Sequence, residues 1–225
     1  MLTFQQISKT FRMKKGTVEA LKNISFELHQ GEFLVVNGPS GCGKTTLLLI
    51  AGSLLHPTSG SVMVNTQNPY QMSEVQRNLL RANTLGFVFQ QFHLIPYLSV
   101  RENIFSPALA TAHHSKEERG EELAEHFGLT DRLSHYPHQL SMGEKQRTAL
   151  ARALFNKPGV ILADEPTGNL DEDNAHIIYS YLKEYTRDGG SVLLVSHDRK
   201  AMQYGTQQMN MQKGELIHKA IGTDQ

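Results

Sequence analysis

Cysteine is almost missing from this chain: Cys42 is the single one in 225 residues, which excludes an internal disulfide. The first residues, Met-Leu-Thr-Phe-Gln-Gln, lack a basic stretch followed by an apolar one, so no secretory leader is expected and the reading is cytosolic. Long apolar runs are missing too. The best, Leu47–Ala51 and Val192–Val195, are core-sized and far short of the roughly 20 residues that cross a bilayer, so no direct membrane span is expected and any span must come from another chain. There is no excess of one charge, with Lys plus Arg and Asp plus Glu at 22 each; nothing in that balance favours nucleic acid or an anionic membrane surface as a direct partner. The chain has neither a repeat at a 20–50 residue period nor a low-complexity linker, which argues against tandem arrays and flexible multidomain layouts. What remains is one large α/β domain, or such a core with an inserted lobe.

What is present is a phosphate-binding pattern. Gly38-Pro39-Ser40-Gly41-Cys42-Gly43-Lys44-Thr45-Thr46 supplies Gly, four residues, Gly, Lys and Thr without a gap. The glycines let successive backbone N–H groups turn inward, and the helix that follows adds the positive end of its dipole. Lys44 is placed to reach the β- and γ-phosphates, and the Thr45 hydroxyl to hold Mg²⁺. The flanks agree: Glu32–Asn37 reads as a strand and Thr46–Ala51 as a helix. The pattern by itself predicts a bound nucleoside triphosphate.

Around it, Leu2–Ile7, Ala20–Leu28 and Gly60–Asn65 read as strands, the first two ahead of the loop and in an antiparallel arrangement. From about Gln91 to Leu140 the sequence becomes helical and polar, with Ser115 and Glu118 spaced as a capping box and Gly128 placed to stop the helix. The continuous apolar runs Val160–Ala163 and Ser191–Val195 read as parallel strands covered on both faces. Helices at about Gly143–Asn156 and Glu172–Arg187 separate them.

The run Val160-Ile-Leu-Ala ends in Asp164 and Glu165, two acids at the carboxyl tip of a buried strand, where open α/β sheets bind ligands. Asp164 suits Mg²⁺ through its water shell, and Glu165 suits polarising a water for attack on the γ-phosphate. His197 ends the next strand and falls beside Glu165 on the same sheet edge, within reach of a γ-phosphate; a lone histidine there also serves simply to satisfy a turn. Ser141 and Glu144 have capping-box spacing at the start of a helix. A capped start that includes Gly143 is also an anion site, and the spacing does not divide the two roles.

Together these motifs resemble the ATP-binding cassette ATPases, over essentially the whole stretch from Phe11 to His197. The resemblance implies an α/β fold: a P-loop NTPase core with a mostly parallel sheet, an N-terminal antiparallel β subdomain and an inserted α-helical subdomain. It divides the single domain into a catalytic core, residues 1–90 and 146–225, and a helical signature subdomain, residues 91–145. It makes Gly38–Thr46 the Walker A loop, Gln90 the Q-loop glutamine and a metal contact, Leu140–Gln146 the signature, and Val160–Asp164 the Walker B strand. Glu165 becomes the catalytic carboxylate, Asn169-Leu170-Asp171 the D-loop, and His197 the switch histidine. Phe11 matches an aromatic that stacks on adenine, more often tyrosine in that family; the π-face is what stacking needs.

The wording of Gly86–Gln91 and Leu162–Asp171 is most similar to the bacterial lipoprotein-release, macrolide-export and cell-division cassettes. The resemblance then implies an ATPase with ATP and Mg²⁺ as cofactors, a second copy meeting the first head to tail, and a separate integral membrane permease. Each ATP would lie between one copy's Walker residues and the other's Ser141, Met142, Gly143, Glu144, Asn169 and Asp171. Leu94–Asn103 is the expected docking segment for a permease helix, or else ordinary lobe core, and the chain would sit on the cytoplasmic side of the membrane. Besides a transporter subunit, a regulatory cassette that passes force to a membrane partner is a reading with identical chemistry. Soluble cassettes of DNA repair or translation fit poorly, since they carry long coiled coils or two cassettes. Two departures stand out: Met142 and Glu144 replace Gly and Gln of the usual Leu-Ser-Gly-Gly-Gln, which leaves Ser141 and Gly143 and hence activity in place. Cys42 in the loop is expected to be a reactive thiol at a positive helix end when ATP is absent.

Overall fold

Alternation along the strands explains the fold. In the computed structural model, which describes residues 1–14, 16–110 and 116–218, Leu34 and Val36 belong to one apolar core while Phe33 and Val35 belong to another. Leu162 against Ile161 and Ala163, and Leu193 and Val195 against Val192 and Leu194, divide in the same way. With side chains at period two pointing to opposite faces, a sheet covered on both sides needs apolar residues at every position.

The chain begins with the long strands β1 (Leu2–Met13) and β2 (Gly16–Leu28), then β3 (Phe33–Asn37), α1 (Lys44–Ala51) and β4 (Ser59–Val64). It continues through α2 (Glu74–Thr84), β5 (Leu85–Phe89), α3 (Val100–Phe105), α4 (Lys116–His126) and α5 (Met142–Leu154). The last part is β6 (Val160–Asp164), α6 (Glu172–Arg187), β7 (Ser191–Ser196), β8 (Gln207–Gln212) and β9 (Glu215–His218). β2, β1 and β4 form an antiparallel sheet, and the larger sheet runs β5-β6-β7-β3-β8-β9, parallel except for β9. The expected strands are therefore present, the first two longer than the sequence indicated.

Between the two sheets lies one core, built around α1 and including Leu2, Phe4, Ile24, Leu47 and Ile50. The other face of the parallel sheet is covered by α5 and α6, and the short helices between β5 and β6 pack on that side through Val100, Ile104, Leu123, Phe127 and Leu150. Gly128 has φ +62° just past the end of α4, the left-handed position that terminates a helix. Ser115 of the expected capping box lies outside the described residues. Helix α2, with a complete capping box of Ser73 and Gln76, and the β8–β9 hairpin were not anticipated.

Candidate nucleotide site

The loop after β3 is shaped by glycine. Gly41 and Gly43 have φ +77° and +114°, and a Cβ on Gly43 would collide with the Ala20 carbonyl oxygen; both positions require a residue that accepts the left-handed region. Gly43 is also the N-cap of α1 and brings no side-chain cap bond, so the first helical N–H groups are left to point into the cleft. Lys44 is 5 % exposed, and its ammonium donates to the carbonyls of Gly38 (2.8 Å) and Pro39 (3.0 Å).

β6 is hydrogen-bonded between β5 and β7, and this register brings the other chemistry alongside. Glu165 follows β6 with φ +45°, an unfavourable backbone for a residue with a Cβ, of the kind that clusters at functional sites. Its N–H donates to the Val195 carbonyl (2.9 Å), its Oε2 lies 2.7 Å from His197 Nδ1, and its Oε1 lies 3.6 Å from Lys44 Nζ. Burial pushes the Asp164 carboxyl above its ordinary range and the neighbouring Glu165 charge pushes it further, while a hydrogen bond from Thr45 and the Lys44 charge oppose the rise. Gln90 follows β5; its carbonyl accepts from Asn169 Nδ2 (3.0 Å), and its side-chain amide packs over Gly168.

These groups face one cleft of about 560 Å³, whose wall includes Ser40–Thr46, Gln90, Asp164 and Glu165. Phe11, Gly38, Pro39 and His197 are not on that wall. Phe11 is paired directly with Val18 across the β1–β2 hairpin, and Val18 is on the wall; directly paired residues share a sheet face, so Phe11 extends the same side outward. His197 reaches the cleft through Glu165.

Ser141–Glu144 also lie off this wall. Ser141 caps α5: its side chain accepts from Glu144 N–H (3.3 Å), and the Glu144 carboxylate accepts from Ser141 N–H (2.8 Å) and Arg132 (2.7 Å). Those bonds, the Ser141 N–H first, hold the Glu144 carboxyl down at about 2. Gly143 is buried beside Asn174, where a Cβ would meet the Asn174 amide oxygen, and Asn174 is bonded to the α6 N-cap Asp171. The starts of α5 and α6 thus meet within one chain. Met142 is 43 % exposed, so much of its side chain faces solvent in this chain. Cys42, in contrast, is 6 % exposed and packs with the core while its residue also lines the cleft.

The cleft has further walls that the motif reading did not include, chiefly Glu19, Lys22, Lys213 and Gly214. Lys213 and Gly214, at φ +49° and +83°, form a two-residue turn of the kind that matches strand twist. Gly214 N–H donates to the Cys42 carbonyl (3.0 Å), which ties this hairpin to the phosphate loop. A Lys-Gly pair between short alternating runs was the available signal, and a weak one.

Residues 21–168 match the model of a protein family described as ABC transporter. The chain belongs to the ABC transporter family. It is 40 % identical to an uncharacterized ABC transporter ATP-binding protein of Methanocaldococcus jannaschii, over 96 % of this chain and 98 % of that one. To a lipoprotein-releasing system ATP-binding protein of Rhodopirellula baltica it is 39 % identical, over 97 % of each chain. Among solved structures, a dimeric ATP-binding cassette in a post-hydrolysis state bound to ADP and Pi superposes with a TM-score of 0.91 at 35 % identity, covering 98 % of both chains. The chain is therefore an ATP-binding, ATP-hydrolysing cassette with the fold of the P-loop NTPases. Among the described residues no helix is long and apolar enough to cross a membrane.

Proposed function

We propose that two copies of this cassette close head to tail on two ATP molecules and drive a separate membrane permease of the export or lipoprotein-release type. The observation that carries the reading is the division of the site. Lys44, Asp164, Glu165 and Gln90 share one cleft, whereas Ser141 and Gly143 lie off its wall, at a capped helix start suited to an anion. A second copy supplies the missing side, and the dimeric form of the solved relative supports this. Residues 1–90 and 146–225 act as the catalytic core, and residues 91–145 as the lobe that carries the signature. In the closed dimer Glu165 accepts the proton of the attacking water, His197 orients Glu165, and Phe11 stacks on the base.

Mg²⁺ fits the residues present. Thr45 and Asp164 are hydrogen-bonded neighbours, two hard oxygen donors on one wall with the Gln90 amide close by, and such a set suits an ion that completes its shell with phosphate oxygens and water. Among the described residues no cluster of three or more His, Cys, Asp or Glu could hold a metal. When bound, the ion offsets charge on the β- and γ-phosphates. Its seat also explains why Asp164 tolerates burial. The folded, nucleotide-free chain holds the Asp164 proton to higher pH than the unfolded chain does, so the charge opposes folding above that pH and not below the ordinary carboxylate range. Asp164→Asn is expected to raise the melting temperature of the nucleotide-free chain at pH 7.5, with little change at pH 4, while reducing turnover at least a hundredfold. A lower melting temperature with retained turnover, read by calorimetry and phosphate release, would contradict both assignments.

The partner docks beside Gln90, where Tyr97 is 77 % exposed and Ile95 and Leu98 are half-buried. In this arrangement the chain sits on the cytoplasmic face of the membrane through its permease. Capture of the tagged chain from detergent-solubilised native membranes should bring down an integral membrane protein. That capture should weaken on Tyr97→Ala, and recovery of the chain alone would remove the permease from the proposal.

A further inference from the structure

Two consecutive residues after Gln90 hold an unusual backbone. Phe92 and His93 have φ +58° and +46°, and neither is a glycine, so the conformation persists only where its surroundings impose it. One side chain does so. Arg152, near the end of α5, donates from Nη1 to the His93 carbonyl (2.6 Å) and from Nη2 to the Phe92 carbonyl (2.7 Å), a two-pronged grip in which the rigid planar fork gives each carbonyl its own nitrogen. Burial lowers the Arg152 pKa, and among the described residues no carboxylate is paired with it. Its charge is committed to two backbone carbonyls.

The next residues are fastened in the same direction. Asn103 of α3, fully buried, accepts from Ile95 N–H (2.7 Å) and donates to the carbonyls of Ile95 (3.1 Å) and Leu98 (3.0 Å). Residues 92–99 are thus tied to α3 and α5. The last β5 residue, Phe89, is paired with Asp164 on the sheet. Only Gln90 and Gln91 lie between the sheet and the tied segment.

We infer that Arg152 is a positioning residue that couples the Gln90 loop to the helix presenting Ser141 and Gly143, so that a shift of Gln90 at the nucleotide moves the signature. The inference rests on the division of the site proposed above. From Ser141 to Arg152 the helix is about 16 Å long, and a packed helix moves its two ends together. Asn169, which donates to the Gln90 carbonyl, holds the loop from the opposite side.

The test uses the full chain with Arg152→Met, which keeps an apolar stem of similar length, and Arg152→Lys. Turnover is expected to fall about tenfold in Arg152→Met, with KM and the ATP affinity of the monomer within about twofold. ATP-driven dimerisation on a Glu165→Gln background should weaken by a similar factor, and Arg152→Lys should recover part of each because it restores the charge and a donor but not the rigid fork. Loss of ATP affinity alone, or turnover and dimerisation both unchanged, would overturn the assignment. Hydrogen exchange on the Glu165→Gln chain with Arg152 intact needs no substitution at the grip: amides of 92–99 and 143–152 should change protection together on adding ATP, and independent changes overturn the coupling. If that Arg152-intact chain does not dimerise with ATP, the division of the site falls and the coupling with it. If it dimerises and Arg152→Met does so equally, with normal turnover, the coupling alone falls.

Discussion

Glu165→Gln is expected to lower ATP turnover by about 10²–10⁴-fold while leaving ATP bound and the dimer closed. Glutamine keeps the size of the side chain and can still bond His197, 2.7 Å from the present carboxylate, yet it cannot take a proton from water. It also removes a negative charge that lies beside Asp164 and 3.6 Å from Lys44, in the region where the triphosphate brings more negative charge. Both effects act in one direction: the reaction stops and the closed state persists. Phosphate release with size-exclusion chromatography in ATP would read the two together. Turnover near that of the unsubstituted chain would remove Glu165 from the role of base.

Lys44→Ala is expected to abolish turnover and to weaken ATP binding by at least tenfold to a hundredfold, since each charge-assisted hydrogen bond lost contributes about 1.5–3 kcal/mol. In the nucleotide-free chain the ammonium is buried and held by the Gly38 and Pro39 carbonyls. A triphosphate therefore exchanges those carbonyls for phosphate oxygens rather than drawing the side chain from water, and the cost of ordering it has already been met by folding. Alanine removes the ammonium from both carbonyls, leaving Pro39 only its bond from Cys42 N–H, and opens a gap beneath the loop, so the melting temperature should fall as well. Fluorescent-nucleotide titration separates the two effects; unchanged affinity in a folded variant would contradict the phosphate contact.

Much of the molecule was legible before any fold was seen, for identifiable reasons. The phosphate loop is a local structure: its glycines, lysine and threonine act within nine residues, so spacing alone carried it. Strands β6 and β7 are short apolar runs because both sheet faces are covered, and that pattern needs no knowledge of neighbours. Helix α2 and the hairpin of β8 and β9 went unread, since α2 is polar with a single buried residue, Leu80, and the hairpin turns on a Lys-Gly pair. The near-complete burial of Cys42 went unread for a related reason. A motif position says which loop a residue belongs to, but not that its sulfur packs inward against Gly38.

Triphosphate binding could be read from local spacing alone, because backbone N–H groups, a lysine and a hydroxyl at fixed spacing form an anion site wherever that stretch folds. The same holds for the apolar strands and the acidic pair that ends one of them. What stands across from those groups was set by packing. The strand ends already set His197 beside Glu165, but strand order fixed their 2.7 Å bond; the packing of α5 against α6 brought Gly143 against Asn174; and the chain's return through Lys213 and Gly214 closed the far wall of the cleft. These are contacts between residues distant in sequence, fixed by which surfaces bury one another, and no local spacing encodes them.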